Sequence, residues 1–121
     1  MFRLFIKENI QKYDLSSLKH VTIAGEALNP EIFKRFYEAT GIKPMEGFGQ
    51  SETTAILFNS VGTEPKPGSM GKPSPAYDVD IIDRNGNSVD PGEIGEIVIR
   101  TDKGKPCGMF NGYYNDKKIR R

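Results

Sequence analysis

The run Pro65-Lys66-Pro67-Gly68-Ser69-Met70-Gly71-Lys72-Pro73 constrains this chain more than any other segment. Five of its residues are proline or glycine. Proline fixes φ and removes a backbone donor, and glycine loses the most freedom on ordering. Neither a helix interior nor a central strand accommodates such a run. Residues 62–75 are therefore expected to be a loop, and the chain is read as two stretches on either side of it. The hydrophobic pattern changes across that loop.

Ahead of the loop the signals are those of βα units. Phe2, Phe5, Ile6 and Ile10 recur at helical spacing. Asp14–Leu18 reads as a turn. Val21-Thr22-Ile23-Ala24 is a short β-branched run and predicts a buried strand. Asn29-Pro30 starts a helix, with Asn as N-cap and Pro in the first turn, and Gly41 ends it. Between them Ile32, Phe33, Phe36 and Tyr37 form one apolar stripe, a core face rather than a cofactor box. Lys43–Glu46 reads as extended, Gly47–Glu52 as a loop, and Thr53–Phe58 fits either a strand or a helix.

Beyond the loop the pattern turns to hairpins. Tyr77, Val79 and Ile81 alternate with Asp78, Asp80 and Ile82. Asn85-Gly86 predicts a two-residue type I′ turn, and Asp90-Pro91-Gly92 a second turn. Ile94–Arg100 predicts a strand with Ile97 and Ile99 on one face and Val98 on the other. The expected architecture is α/β: residues 1–60 a partial βα subdomain, residues 61–121 a partial β-rich subdomain.

Composition narrows the function. At 121 residues there is room for one small domain. Lys and Arg total 17 against 16 Asp and Glu, a net charge of +1, which argues against an electrostatic nucleic-acid or membrane binder. No apolar run is long enough to span a bilayer, and Met1–Asn9 makes a poor signal peptide. One cysteine, Cys107, excludes an internal disulfide and a Cys-based zinc site. It fits a reducing, cytoplasmic home. A lone histidine, His20, excludes a multi-His metal site and argues against a Ser-His-Asp triad. Neither residue has partners at ligand or nucleophile spacing. The basic end Lys117–Arg121 lacks interleaved aromatics and reads as a solvated tail.

Three stretches hold candidate chemistry. In Gly47-Phe48-Gly49-Gln50-Ser51-Glu52 the glycines let backbone approach a ligand, and Phe48 can stack on a planar base. Ser51 can donate to a phosphate oxygen, and Glu52 offers a hard oxygen to Mg²⁺. Such strings also occur in plain turns, and this one is not a Walker loop, since no Gly-Lys-Ser/Thr follows. Gly25-Glu26-Ala27 follows a predicted strand, where open α/β sheets bind ligands; a plain strand-to-helix turn uses glycine too. The third, Lys66–Pro73, reads first as a stiffened surface connection, with a phosphate-contacting loop as the alternative.

Taken together, three strings in fixed order say more. They are Ala24-Gly25-Glu26-Ala27-Leu28-Asn29-Pro30, then Glu46-Gly47-Phe48-Gly49-Gln50-Ser51-Glu52-Thr53-Thr54, then Gly92-Glu93-Ile94-Gly95-Glu96-Ile97-Val98-Ile99-Arg100. In this spacing the chain resembles the acyl-adenylate-forming enzymes of the AMP-binding superfamily, and most of all the medium-chain acyl-CoA synthetases. The resemblance implies the large N-terminal domain of such an enzyme, a βα layer followed by a β-rich, distorted barrel-like subdomain. It implies ATP, Mg²⁺ and CoA as cofactors or co-substrates and a carboxylic acid as substrate. It places Gly25, Glu26 and Ala27 on one adenine face and Phe48 on the other, with Glu46 near the adenine amino group. Gly47 belongs to the same cofactor-binding string, and Gln50 faces the phosphate. Ser51 holds the α-phosphate and Glu52 the metal, as the catalytic pair. Gly49 opens the acyl pocket, where short-acid relatives carry a bulky aromatic.

Other parts of the family pattern have no counterpart here: the triphosphate loop, the ribose Asp and the catalytic Lys. The chain is thus expected to be an inactive fragment that self-associates through the Phe33/Phe36/Tyr37 stripe and the 97–99 strand. The rival readings are a stand-alone nucleotide- or protein-binding module and an adenylation domain serving a carrier protein.

Overall fold

The computed structural model describes residues 2–114. They fall into two compact units, one drawn from residues 2–49 with 57–72, the other from residues 50–56 with 73–114.

The first unit opens with helix α1 (Phe2–Lys7) and a 3-10 turn (Ile10–Lys12), followed by strand β1 (Thr22–Ile23), helix α2 (Pro30–Thr40) and strand β2 (Met45–Gly49). α2 forms where local chemistry dictates. The Asn29 side chain accepts from the Glu31 N–H at 2.8 Å, Pro30 needs no donor in the first turn, and Gly41 closes the helix at φ +69°. Its buried face is Phe33 and Phe36, one turn apart, while Tyr37 stays half-exposed beneath the Lys43 ammonium. Each buried ring contributes about 1.5–3 kcal/mol by removal from water. α1 and the 3-10 turn pack on α2, and Leu28, Pro44 and Pro65 complete the buried apolar set. With Phe33 and Phe36 covered, only Tyr37 of the expected sticky stripe is open to association.

β1 pairs in parallel with β2, Thr22 opposite Met45 and Ile23 opposite Glu46. The sheet continues through β3 (Ala55–Phe58) and β4 (Lys72–Pro73), in the order β1-β2-β3-β4. Two expectations change here. The pattern predicts a loop at Gly47, Phe48 and Gly49, but they extend β2. A Cβ on Gly47 would stand 3.4 Å from the Leu57 carbonyl oxygen and from the Phe58 Cβ, ordinary contact distances in a packed sheet. The Pro/Gly run is likewise not loop throughout, because β4 occupies its end. There Gly71, at φ +95°, crosses β3 so closely that a Cβ would lie 2.2 Å from the Phe58 carbonyl carbon.

The second unit is built on strands β5 (Val79–Ile82) and β6 (Glu96–Ile99), antiparallel with Val79 opposite Ile99 and Ile82 opposite Glu96. On its other edge β5 bridges Ser88 through Ile82. The connection between them is wider than a two-residue turn: Gly86 N–H donates to the Asp83 carbonyl, and Asp83 N–H to that of Asn87. The cause is the Asp83 carboxylate, which accepts the backbone N–H groups of Asn85 and Asn87 at 2.8 and 2.9 Å and draws the chain into a three-residue loop. These bonds hold the Asp83 carboxyl below the ordinary range, Asn87 contributing most.

The α/β class holds, but the barrel-like expectation does not. Among the described residues neither sheet closes: one ends at β1 and β4, the other is a two-stranded ribbon. Closure requires consistently tilted and staggered strands around a ring. Here the end strands β1 and β4 do not pair with each other, and β5 and β6 pair with no further strand, so no ring forms.

Candidate adenylate-binding site

In the first unit the loop after β1 carries Gly25, Glu26 and Ala27, all exposed, and then turns inward at Leu28. What fixes it is Glu46. This side chain is only 6% exposed, and its Oε1 accepts the Leu28 N–H at 3.0 Å. A buried carboxylate without such a partner would be costly. The Glu46 carbonyl in turn accepts from the Asn59 backbone N–H at 3.0 Å and from its side-chain amide at 2.9 Å. Since β1 and β2 run parallel, the 24–28 loop and the Phe48-Gly49 end of β2 leave the same, carboxyl edge of the pair. Phe48 is half-buried and Gly49 exposed.

In the second unit Gln50–Thr53 form a tight turn. Thr53 N–H donates to the Gln50 carbonyl at 3.1 Å, and Gln50 N–H to Thr53 Oγ1 at 3.1 Å. Ser51 and Glu52 occupy its tip, adjacent, the serine exposed and the glutamate partly so. A second segment grips this turn. Phe110 N–H donates to the Glu52 carbonyl at 2.8 Å, and the Tyr113 hydroxyl donates to Glu52 Oε1. The Tyr113 ring stands edge-on to Phe110, centroids 4.9 Å apart. The Tyr113 hydrogen bond, then Glu52's own backbone N–H, hold the Glu52 carboxyl below its ordinary range. The same bond pushes the Tyr113 phenol up. Next in sequence, Thr54 gives its N–H to the Tyr77 hydroxyl at 3.0 Å and pairs its own hydroxyl with it at 2.8 Å. Tyr77 is buried.

Glu52 is the hard donor expected for magnesium. Apart from Glu52's own backbone N–H, Tyr113 is the one described residue that donates to this carboxylate. Among the described residues no three His, Cys, Asp or Glu side chains cluster as a metal site. That donor set fits Mg²⁺ in its usual role, held by one or two carboxylates together with substrate phosphates and water. It does not fit a structural zinc or calcium cage.

Sequence reasoning assigned no role to Tyr113, Phe110, Tyr77 or Thr54. Tyr113 lies in the string Gly112-Tyr113-Tyr114-Asn115, yet it reaches Glu52 across 61 positions, and no local pattern encodes that meeting.

A family model described as "AMP-binding enzyme" matches residues 1–114. The chain belongs to the AMP-binding enzyme family. It is 43% identical over 115 residues to the mitochondrial acyl-coenzyme A synthetase ACSM3 of Rattus norvegicus, covering 95% of this chain and 20% of that protein. With the mitochondrial acyl-coenzyme A synthetase ACSM5 of Homo sapiens it shares 43% identity over 116 residues, 96% of this chain and 20% of the relative. Among solved structures, the Brucella canis acyl-CoA synthetase superposes with a TM-score of 0.79 at 32% identity, over 95% of this chain and 22% of that one. The anthranilate CoA ligase AuaEII, in complex with anthranoyl-AMP, gives 0.74 at 32% identity, over 85% and 20%. The chain thus spans about a fifth of the length of the relatives it matches. The mitochondrial names of the curated relatives overturn the expected cytoplasmic home. A single unpaired cysteine speaks only against an internal disulfide and does not select among compartments where thiols stay reduced. No helix among the described residues is long and apolar enough to cross a membrane.

Proposed function

We propose that these residues form part of an AMP-forming acyl-CoA synthetase acting on medium-chain acids, with ATP, Mg²⁺ and CoA. The observation that carries the reading is the Ser51-Glu52 turn tip directly after a parallel strand in a member of the AMP-binding family. A hydroxyl and a carboxylate side by side suit a phosphate and its cation.

In the first half-reaction an oxygen of the substrate carboxylate attacks the α-phosphorus of ATP, and pyrophosphate leaves. The product is an acyl-adenylate. In the second, the CoA thiolate attacks the acyl carbon, and AMP leaves as the thioester forms. The backbone of Gly25, Glu26 and Ala27 covers one adenine face, Phe48 stacks on the other, and Gly47 and Glu46 complete the adenine side. Glu46 acts there by holding the 24–28 loop through Leu28. Ser51 donates to an α-phosphate oxygen as charge builds on it, and Gln50 faces the same phosphate. Glu52 would hold Mg²⁺, which when bound would supply charge neutralisation for the departing pyrophosphate. Gly49 leaves space for the acyl chain.

The test uses the complete protein that carries these residues. With ATP, Mg²⁺, CoA and octanoate it should release AMP and octanoyl-CoA in equal amounts. ADP in place of AMP, or no turnover with octanoate, hexanoate or acetate, contradicts the proposal.

A further inference from the structure

The Tyr113–Glu52 hydrogen bond is one part of a clamp. The Phe110 N–H holds the Glu52 carbonyl at 2.8 Å, the Tyr113 ring packs edge-on against Phe110, and the Tyr113 hydroxyl reaches Glu52 Oε1. Backbone and side chain of Glu52 are thus both held by one short segment of the chain. Ser51, its neighbour, receives no such support among the described residues. A carboxylate that serves only as a turn residue gains little from a dedicated phenol, because an exposed hydrogen bond adds little to stability. A carboxylate that must meet a cation gains orientation, since partners behind a metal ligand set its geometry and basicity.

We propose that Tyr113 is a positioning residue for Glu52: its hydroxyl engages Oε1 and fixes the carboxylate so that Oε2 is offered to a divalent cation shared with the nucleotide phosphates. This deepens the function proposed above and rests on Glu52 as a metal ligand. It assigns the 108–113 segment a part in cation binding that neither composition nor spacing indicated.

The experiment measures Mn²⁺ binding to the complete protein by electron paramagnetic resonance, with a non-hydrolysable ATP analogue present. Binding of the metal-free analogue in chelator is measured alongside. Tyr113→Phe removes one oxygen and keeps the ring on Phe110. It should weaken Mn²⁺ about tenfold or more, the usual effect of losing a partner behind a metal ligand, and leave metal-free nucleotide binding unchanged. A merely structural role would weaken both together. Glu52→Gln should weaken Mn²⁺ at least as much, and Tyr113→Phe should add nothing in that background. Unchanged Mn²⁺ affinity in Tyr113→Phe, with affinity lost in Glu52→Gln, overturns the role of Tyr113 alone. Unchanged affinity in Glu52→Gln overturns the metal-ligand reading itself.

Discussion

Gly108→Ala is expected to loosen the Glu52 turn from behind. A Cβ at Gly108 would stand 2.2 Å from the Tyr77 hydroxyl oxygen, 2.8 Å from Thr54 Oγ1 and 3.1 Å from Tyr77 Cζ. Tyr77 is 6% exposed and has little room to retreat. Yielding therefore breaks its bonds to the Thr54 N–H and hydroxyl, or displaces the 106–110 backbone. Overpacking costs about 1–3 kcal/mol, and a polar group left unpaired about 1–3 kcal/mol. The expected local loss is about 2–4 kcal/mol. Native-state hydrogen exchange reads it directly, because the Thr54 amide is itself the donor: its protection should fall roughly 30-fold or more, at 1.4 kcal/mol per tenfold. Tyr77→Phe alone should cost about 1–2 kcal/mol. It also removes the atom that the added methyl would strike first, so in the double variant Gly108→Ala should add less than it costs alone, the contacts to Thr54 Oγ1 and Tyr77 Cζ remaining. Strictly additive effects, or unchanged Thr54 protection in Gly108→Ala, would refute this reasoning.

Glu46→Ala should strip the Leu28 N–H of its partner in a residue 4% exposed, lowering protection of that amide about tenfold or more; unchanged protection would mean that the carboxylate does not hold the loop. Asp80 lies below its ordinary range, held first by the Ser88 hydroxyl, then by the Ile81 N–H and Arg100. Its support is full above the unfolded aspartate pKa and is lost as pH falls through the lower folded one, so the β5–β6 ribbon should loosen in that acid window. Asp80→Asn should diminish that response in circular dichroism, leaving the share that Asp83 carries; an identical acid transition would count against it. Gly49→Trp should cut the kcat/KM ratio of hexanoate over acetate about tenfold, from up to about 0.8 kcal/mol per methylene no longer accommodated. Equal loss with both acids would show that Gly49 serves the backbone alone.

Much of the first unit was legible because its signals are local. Asn29-Pro30 and Gly41 bound α2 as their capping chemistry requires, and the Phe33/Phe36 face is buried as the stripe demanded. The strings at 25–27 and 46–52 could be read as candidate ligand-facing residues because glycines, a hydroxyl and a carboxylate declare their chemistry. What escaped depends on distance along the chain. β4 forms inside a Pro/Gly run because β3 offers it a partner, which composition does not report. Glu46 is turned inward by the Leu28 N–H, 18 positions away, and Tyr113 meets Glu52 from 61. The Asp83 carboxylate overrode the Asn85-Gly86 preference by recruiting two backbone donors. Barrel closure, a property of all strands together, was not readable from any one of them.

The central claim is that Glu52 and its neighbours serve adenylate formation, and pyrophosphate exchange tests it most directly. The complete protein is incubated with ATP, Mg²⁺, octanoate and labelled pyrophosphate, and label entering ATP is followed for the unmutated protein and for Glu52→Gln. Several kcal/mol of charge stabilisation should vanish with the carboxylate. The account predicts exchange with the unmutated protein and a fall of about 10²-fold or more in the variant. Exchange at the unmutated rate in Glu52→Gln would contradict it.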